Sequence, residues 1–409
     1  MLNNVVLITS GQPAANPRSV KEATTLAEAG FNVSVIYTTI SPWADEMDKK
    51  LMLLHPEIKW ICATQYSSNN LYNKIIRLRR RLYELVYTNI KGSILFAEKS
   101  ISLYAQELKE KASSSKADLF IAHNLAALPV AVRIAKKYKA KVAFDAEDFH
   151  RGEVEKDMFE YRRIKKIEDA YIPQLTYLTT ASPLISEAYK KLYPIKNIYT
   201  VLNVFPLKYQ QPFELLISEP LKLIWFSQIV GLNRGLQDLF IAIASIINFK
   251  IELTIVGVCK DEVRKELLSK MNNVLHKINF TDPLPEPELL SLCAAHHIGS
   301  AAEIHEPYNR EICLTNKLFF YMLAGNALLA SETKAQKKLL LENKNIGLSY
   351  ISGNTENIKK NLEYWYHNPE ILTAHRKAAY DAAASEFNWD KEKNKLIKIV
   401  CETCTDHIS

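Results

Sequence analysis

The chain has 409 residues, of which 48% are hydrophobic and 24% charged, and its formal net charge is +7. This composition is typical of a water-soluble globular protein, and the length exceeds what a single hydrophobic core organises, so we expect two domains. The mild positive charge suits phosphorylated substrates or an anionic membrane surface. Because no nucleic-acid-binding motif accompanies it, we expect no nucleic acid partner.

The sequence predicts a protein of the reducing cytoplasm. It has no apolar run of the roughly 18 residues that a membrane span needs, and its first apolar run is too short for a signal peptide. The six cysteines are scattered along the chain. Cys401 and Cys404 form a CxxC pair, but with no second pair or nearby histidine this is weak evidence for a metal site.

Strands and helices alternate in the first half, the pattern of a parallel sheet with helices on both faces. In such a sheet the loop after the first strand, residues 10–18 here, lies at the ligand crevice. A helix is predicted over residues 20–29, ending at Gly30. Strands are predicted at residues 5–9, 33–37, 118–122, 141–146, 177–180 and 200–204.

Residues 71–90 form an amphipathic helix with a basic face. The apolar positions recur every three or four residues, and basic residues occupy another face. A basic amphipathic helix can lie on an anionic membrane. The alternative is a helix that packs on the sheet and leaves its basic face in water. The apolar positions are Leu71, Ile75, Leu78, Leu82 and Leu85, and the basic ones are Lys74, Arg77, Arg79, Arg80 and Arg81.

Polar residues follow two of the predicted strands. His123 and Asn124 follow one, and Glu147, Asp148 and His150 follow another, at strand ends where open α/β sheets bind ligands. Asp145, Glu147, Asp148 and His150 could suggest a metal cluster, but alternating residues of a strand point to opposite faces, so these four cannot all converge unless the strand has ended.

A second alternation of strands and helices begins after a proline-punctuated stretch. Residues 206–220 contain three prolines and no periodicity, so we assign them as an interdomain linker. Strands follow at residues 221–226, 251–257, 298–302 and 327–330. The first loop of this half contains Gly231, Arg234 and Gly235. Its glycines permit close approach of the backbone to a diphosphate, and its arginine can pair with one.

Residues 300–331 predict a strand end, a polar loop, a helix and another strand. Thr315 or Asn316 is the expected N-cap, and Gly325 the expected stop. Lys317 in the first helical turn is unfavourable for the helix, and an anion at the helix start would explain it. The alternative is an ordinary crossover whose lysine faces water.

The run NKLFFYMLAG, from Asn316 to Gly325, resembles a segment of the family 4 glycosyltransferases. The run SQIVGLNRGL from Ser227, the opening segment from Gly11 and the run FDAEDFHRGE from Phe144 also resemble segments of that family. Together these resemblances cover nearly the whole chain. They imply an α/β protein of the GT-B fold, with two Rossmann-like domains whose parallel sheets face each other across a cleft.

The resemblance also implies domain boundaries. The first domain is expected at 1–205, on the acceptor side, and the nucleotide-sugar-binding domain at 221–386, after the linker at 206–220. A last helix, 387–409, is expected to return to the first domain.

The resemblance implies roles for individual residues. Glu303 and His150 with Asp148 are the expected catalytic residues. Gly11, Arg18 and Gln228 are expected at the cleft, with a solvated arginine as the alternative for Arg18. The expected donor-binding residues are Gly231, Arg234, Gly235, Glu311, Asn316 and Lys317.

The two glutamates of the family admit two registers. Glu303 and Glu311 have the family's spacing, with seven residues between them. Counting back from Gly325 instead places the family's second glutamate on Phe320 and its first on Ile312. We favour Glu303 as the donor-site residue.

The implied activity is a retaining transferase of the hexosyltransferase type, acting in polysaccharide biosynthesis. It would move a sugar from a nucleotide sugar to a glycan or lipid-linked acceptor without a metal or other cofactor. The membrane surface would be contacted through 71–90. The alternatives are a nucleotide-sugar epimerase and a degenerate, non-catalytic binding or scaffold subunit.

Overall fold

The computed structural model describes residues 3–40, 44–64, 70–90, 93–217, 219–271 and 275–405. The chain divides into two compact units, one formed by Met1–Val201 with Lys393–Ser409 and the other by Leu202–Glu392. The segment predicted as a linker is part of the second unit, where Arg376 Nη2 donates to the carbonyl of Glu214 at 3.1 Å. Residues 1–2 of the predicted first domain and 406–409 of the predicted last helix lie outside the described residues.

The first unit contains a parallel sheet with seven strands in the described part of the chain. Their order across the sheet is β3-β2-β1-β4-β5-β6-β7. β1 is almost continuously apolar and buried, as expected of a strand whose two faces are both covered. The strands β1 to β7 are Asn4–Thr9, Asn32–Thr38, Lys59–Thr64, Leu119–His123, Lys141–Glu147, Tyr177–Thr180 and Ile198–Thr200.

Eight described helices belong wholly to this unit. The predicted helices over 20–29 and 71–90 are confirmed as α1 and α3. The helices α1 to α8 are Pro17–Glu28, Asp45–Leu54, Asn70–Asn89, Ile94–Ser100, Ala105–Ala112, Leu128–Tyr138, Phe159–Tyr171 and Pro183–Leu192.

The second unit repeats the architecture with a six-stranded parallel sheet in its described residues. The strand order is β10-β9-β8-β11-β12-β13. The strands predicted at 221–226, 251–257, 298–302 and 327–330 are confirmed, with ends that differ by at most three residues. The strands β8 to β13 are Leu221–Ile229, Ile251–Val258, Lys277–Thr281, Ile298–Ala301, Ala327–Ser331 and Gly347–Tyr350.

The helices of the second unit pack with this sheet into a core that includes Trp225, Phe240 and Trp365. The helices α9 to α16 are Leu236–Ala244, Asp261–Leu268, Glu286–Ala294, Tyr308–Ile312, Asn316–Ala324, Lys334–Glu342, Thr355–His367 and Pro369–Ser385. The last helix, α17, is Trp389–Thr405. The α/β class with two Rossmann-like sheets is thus confirmed.

Both sheets change direction of winding at their first strand. β1 lies between β2 and β4, and β8 lies between β9 and β11. Loops that leave such a switch point at the carboxyl ends of the strands run to opposite sides and leave a crevice for ligands. The fold therefore places a candidate site after β1 and β4 in the first unit and after β8 and β11 in the second.

The strand predicted at 200–204 is wrong. The last strand of the first sheet is β7, which ends at Thr200. Val201, Leu202 and Val204 are buried without belonging to a strand, and the N–H of Leu202 donates to Glu392 Oε2 at 3.0 Å. A short apolar run reports burial, and here that burial comes from irregular chain rather than from strand pairing.

None of the described helices combines the length and the apolar character that a transmembrane segment requires.

A backbone contact at β13 generates a stability prediction. A Cβ atom on Gly347 would lie 2.1 Å from the carbonyl oxygen of Leu328 on the neighbouring strand, and backbone cannot yield as a side chain can. We expect Gly347→Ala to lower the free energy of unfolding by about 1–3 kcal/mol, the usual cost of overpacking. Gly11→Ala is the control, because no atom lies within 4 Å of the Cβ position there. Urea denaturation of both variants checks this, and equal stability would contradict it.

Candidate functional site

The loop after β8 passes close to the loop after β11. Gly235 has a φ of 71° and lies at the N-cap position of α9, in the left-handed region that favours glycine. Its Cβ position is 3.4 Å from Ala302 Cβ and 3.7 Å from Glu303 N. Gly231 has an extended φ of −138° and only the flexible Asn233 side chain nearby. Of the two glycines predicted here, only Gly235 has a backbone conformation that favours glycine.

Glu303 is the centre of the site in the second unit. It follows β11 and its side chain is only 1% exposed. Its N–H donates to Ser331 Oγ at 3.0 Å, and its carbonyl accepts from Ser352 Oγ at 3.3 Å. These two bonds tie the backbone of Glu303 to the chain at and after β12 and β13, so the carboxylate is held on a rigid support.

Two cations reach the Glu303 carboxylate. Lys317 Nζ lies 2.9 Å from Glu303 Oε1, and Arg234 Nη1 lies 3.5 Å from the same oxygen. Lys317 is buried and its ammonium also sits 4.9 Å from the centre of the Trp225 ring. The alternative in which Lys317 faces water is therefore wrong.

Neither ion pair is also a hydrogen bond. Among the described residues, both carboxylate oxygens of Glu303 and the ammonium of Lys317 are buried without a hydrogen-bond partner. Thr315 Oγ1 at the start of α13 is in the same condition. Buried polar atoms without partners are costly, and a bound polar molecule is one way to satisfy them.

Arg310 is a third cation at this site, and the sequence analysis did not assign it. Its Nη1 donates to the carbonyl of Asn233 at 2.7 Å, next to Arg234 in the loop after β8. Burial lowers the pKa of Arg310, and the positive charge of Arg234 lowers it further. Two cations thus lie against one carboxylate, with a third next to Arg234, and this positive charge favours an anionic ligand.

The helix start adds to this electropositive character. Thr315 is the N-cap of α13 and Gly325 ends the helix with a φ of 76°, as predicted. The Thr315 side chain makes no capping hydrogen bond to the first turn, and Asn316 at the helix start is exposed. The first N–H groups of the helix and the positive end of its dipole therefore add to the charge of Lys317.

Glu311 has partners other than those of Glu303. It lies on α12, where Oε2 contacts His305 Nδ1 and Oε1 lies 3.7 Å from Lys334 Nζ. In the described chain no ion pair joins Glu311 to Arg234 or Lys317. The structure thus gives Glu303 and Glu311 separate surroundings.

Phe320 belongs to an aromatic cluster. It is 2% exposed, and its ring lies 4.9 Å from that of Phe205 and 5.1 Å from that of Phe226, both edge to face. A carboxylate at this position would be buried against aromatic rings. Gln228, predicted at the cleft, lies near the end of β8 and is exposed.

The site in the first unit is a closed charge network. Arg18 donates to both oxygens of Asp145, from Nε at 2.6 Å and from Nη2 at 2.9 Å, and both side chains are buried. The alternative of a solvated Arg18 is therefore wrong. His123 lies between two carboxylates, with Nε2 2.7 Å from Glu22 Oε2 and Nδ1 3.3 Å from Asp145 Oδ2.

This network does not fit a metal ion, although Glu22, His123 and Asp145 have ligand atoms within 4.8 Å of one another. Burial would lower the pKa of His123, but the two carboxylates raise it to about 9. A second cation in this cluster would be repelled by the positive charge of the Arg18 guanidinium, which is buried against Asp145. Asp145 is also occupied by the guanidinium of Arg18.

Asp148 and His150 lie just after β5, beside this network. The His150 ring stacks on Phe144 with 5.8 Å between ring centres, and its Nε2 is buried with no hydrogen-bond partner in the described part of the chain. Burial opposes charge on His150, but Glu153 and more distant carboxylates raise its pKa to about 9. The carbonyl of Asp148 accepts from Tyr189 Oη at 3.3 Å.

Similar solved structures cover nearly the whole chain. Sucrose-phosphate synthase from Thermosynechococcus elongatus matches with a TM-score of 0.71 at 13% identity, over 98% of each chain. HepE from Anabaena in complex with UDP-glucose matches at 0.68 and 13% identity, over 98% of this chain and all of that one. WaaG, a glycosyltransferase involved in lipopolysaccharide biosynthesis, matches at 0.64 and 13% identity, over 96% and 98%. The chain has the GT-B fold of these glycosyltransferases. No protein-family model matches the sequence, and no curated protein sequence is similar to it.

The GT-B fold explains which site residues the sequence analysis found. Glu303, Arg234 and Lys317 follow or begin elements at the switch point of the second sheet, and the structure brings them together. No sequence pattern singles out Arg310, because only the folded loop places it beside Asn233. Glu22 could have been found from the sequence, since Arg18 and Glu22 are four apart on α1 and therefore share a helix face.

The buried histidines generate a pH prediction. The pKa of His123 is raised from 6.5 to about 9, so its contribution to stability is fully present below pH 6.5 and disappears as the pH rises to 9. His150 acts in the same direction. We expect the melting temperature to fall over this range, and the free energy of unfolding that is lost between pH 6.5 and 9 to be smaller in His123→Asn by roughly 1–3 kcal/mol. Melting curves at pH 6.5, 7.5 and 9 check this, and an unchanged slope would contradict the assignment.

Proposed function

We propose that the protein is a retaining glycosyltransferase of the family 4 type. It moves a sugar, in the manner of a hexosyltransferase, from a nucleotide sugar to a glycan or lipid-linked acceptor in cell-surface polysaccharide synthesis. The observation that carries the proposal is the set of three cations around the buried Glu303, at the switch point of the second sheet and beside the start of α13. HepE, which has the same fold, binds UDP-glucose, and this supports a nucleotide sugar as the donor.

The donor's diphosphate is assigned to the cations. As the bond from the anomeric carbon to the phosphate stretches, negative charge grows on the leaving diphosphate and positive charge on the sugar ring. Arg234, Arg310 and Lys317 stabilise the first of these charges, because fixed cations in a partly buried site act more strongly than in water. This role needs no metal, and we propose that the enzyme works without one.

Glu303 is assigned to the donor sugar. Its unpartnered carboxylate oxygens are suited to accept hydrogen bonds from sugar hydroxyls. Its negative charge also favours the positive sugar ring of the transition state. In a retaining reaction the acceptor hydroxyl attacks from the face that the phosphate leaves. No nucleophilic side chain is then required, and the departing phosphate takes the proton.

The acceptor is assigned to the end of β5 in the first unit. His150 Nε2 is buried there without a partner among the described residues, and Asp148 precedes it by two positions. We propose that these residues orient the acceptor. A lipid-linked acceptor would place the enzyme on the cytoplasmic face of an anionic membrane, and the exposed Lys74, Arg77 and Arg81 on α3 support that location.

Two other functions stay open to experiment. A putative UDP-N-acetylglucosamine 2-epimerase shares the fold, but its TM-score of 0.56 is lower than those of the transferases. An epimerase also needs no acceptor, so product analysis separates the two. A non-catalytic subunit is favoured only by Phe320, and such a subunit would have no use for three cations around a carboxylate.

Removing the cations should weaken donor binding. Arg234→Ala should reduce affinity for UDP-glucose by roughly tenfold to a hundredfold, since hydrogen bonds to charged groups contribute about 1.5–3 kcal/mol. Arg310→Ala and Lys317→Ala should act in the same direction, and Lys317→Ala should also lower the melting temperature because it leaves Glu303 buried without its closest cation. Lys337→Ala is the control, since this lysine pairs with Glu332 on the surface. The measurement is titration of each variant with UDP and a panel of nucleotide sugars. A ligand that binds should raise the free energy of unfolding by about 2.7 kcal/mol when its concentration is 100 times Kd, and this appears as a higher melting temperature. Wild-type affinity in all three variants would contradict the assignment of the donor's diphosphate to this site.

Three variants test the glutamate register. Glu303→Gln should lower turnover by roughly 10- to 1000-fold, the range found when a hydrogen bond to a reacting group is weakened. Glu311→Gln should mainly raise the donor KM. Phe320→Glu should destabilise the protein without adding activity, because it buries a carboxylate between two aromatic rings. Steady-state kinetics with a stability control decide the matter, and a rise in turnover for Phe320→Glu would favour the other register.

A further inference from the structure

The helix α3 exposes its apolar face instead of burying it. Five leucine and isoleucine side chains on it are each at least 52% exposed, and they form one stripe along the helix. This stripe, which we call the α3 stripe, consists of Leu71, Ile75, Leu78, Leu82 and Leu85. At 1.5 Å per residue it is about 21 Å long. Contiguous exposed apolar surface of this kind marks an interaction site.

The opposite face of α3 attaches the helix to the first unit. Asn73, Ile76 and Tyr87 are buried, and at 100° per residue they lie on the side of the helix away from the stripe. The Tyr87 ring packs edge to face on Phe159 of α7, with 5.3 Å between centres. The sequence pattern alone would place the leucines against the sheet, and the structure does the reverse.

The charges around the stripe identify its occupant. Lys74, Arg77 and Arg81 are exposed along one flank and have no ion pair with any described residue. The single acidic residue of α3, Glu84, is half-buried and pairs with Arg80 at 3.0 Å and Arg163 at 3.2 Å. The outward surface of the helix is therefore apolar and positive, with no exposed carboxylate. An outward surface that is both apolar and positive suits a bilayer with anionic headgroups.

We infer that α3 inserts the α3 stripe into the interface of an anionic bilayer, with Lys74, Arg77 and Arg81 at the headgroups. The inference rests on the proposed function for its purpose, since an enzyme with a lipid-linked acceptor must reach the membrane. It goes further in assigning the contact to apolar insertion, which an electrostatic attraction alone would not produce. A second copy of this chain is the competing occupant, but an antiparallel pair of these helices would bring their basic flanks together, and a dimer of either direction would not use the positive charge.

Vesicle sedimentation of the full chain tests the inference. The probe is a vesicle of phosphatidylcholine with about 30% phosphatidylglycerol, and the wild-type protein should sediment with it. Leu78→Ser with Leu82→Ser should weaken binding by more than tenfold, because two large apolar side chains leave the lipid. The matched control is Ile247→Ser with Leu341→Ser, which removes two apolar side chains from the second unit that are even more exposed than Leu78 and Leu82. All four positions are exposed, so the melting temperature should not change.

The charge arm uses the same vesicles. Replacing Lys74, Arg77 and Arg81 by Gln should weaken binding about a hundredfold, at about fivefold per basic residue. Replacing Lys190, Lys191 and Lys196 by Gln makes the same change in net charge at exposed positions of the first unit and should have little effect. Wild-type binding should persist in part at high salt, because salt screens the charges and leaves the apolar contribution.

Three outcomes would overturn the inference. If the wild-type protein does not bind anionic vesicles, α3 is not a membrane contact. If only the charge variant loses binding, the contact is electrostatic attraction without insertion of the α3 stripe. A wild-type dimer that the Leu78→Ser and Leu82→Ser variant converts to a monomer would assign the stripe to a second copy. Binding of UDP and of the panel of nucleotide sugars without vesicles is measured in parallel. If no member of the panel binds, the proposed function is refuted, whereas vesicle binding reports on α3 alone.

Discussion

The ion pair between Glu303 and Lys317 holds the candidate site together. It joins the end of β11 to the start of α13, and Arg234 extends it to the loop after β8. Burying such a pair is expensive, and well-packed apolar residues would often serve stability as well or better. Its hydrogen-bonding atoms are also left without partners in the described chain. The arrangement therefore points to a role in ligand binding rather than in stability.

Charge balance distinguishes the two units. In the first unit Arg18 and His123 lie against the carboxylates of Glu22 and Asp145, and Glu147 adds a further acidic group that acts on Arg18. In the second unit Lys317 and Arg234 lie against Glu303 and Arg310 lies next to Arg234, so the cations outnumber the carboxylate that they contact. An anion is stabilised where positive charge is in excess, which supports the proposal that a diphosphate binds in the second unit. The charge network in the first unit instead joins α1 to the ends of β4 and β5, and Asp148 and His150 follow β5.

The helix α3 shows how amphipathicity and burial can separate. In most surface helices the apolar stripe faces the core, and the basic face is left to the solvent. Here Ile76 and Tyr87 attach the helix, while the leucine stripe points away. This orientation has a stability cost in water that contact with a bilayer would offset. The helix α3 would then supply both the basic residues that attract the protein to the anionic bilayer and the apolar residues that insert into it.

The sequence alone determined the fold class, because alternating apolar strands and amphipathic helices leave few arrangements other than parallel α/β sheets. It also determined the bounds of α13, since Thr315 and Gly325 act through local backbone geometry, and the candidacy of Glu303, Arg234 and Lys317. Tertiary structure decided what depends on distant chain: the burial of Arg18 against Asp145, the place of Arg310 beside Asn233, and the irregular course of residues 201–204. It also decided which face of α3 is buried. Periodicity fixes which residues share a helix face, but only the neighbouring elements determine which way that face points.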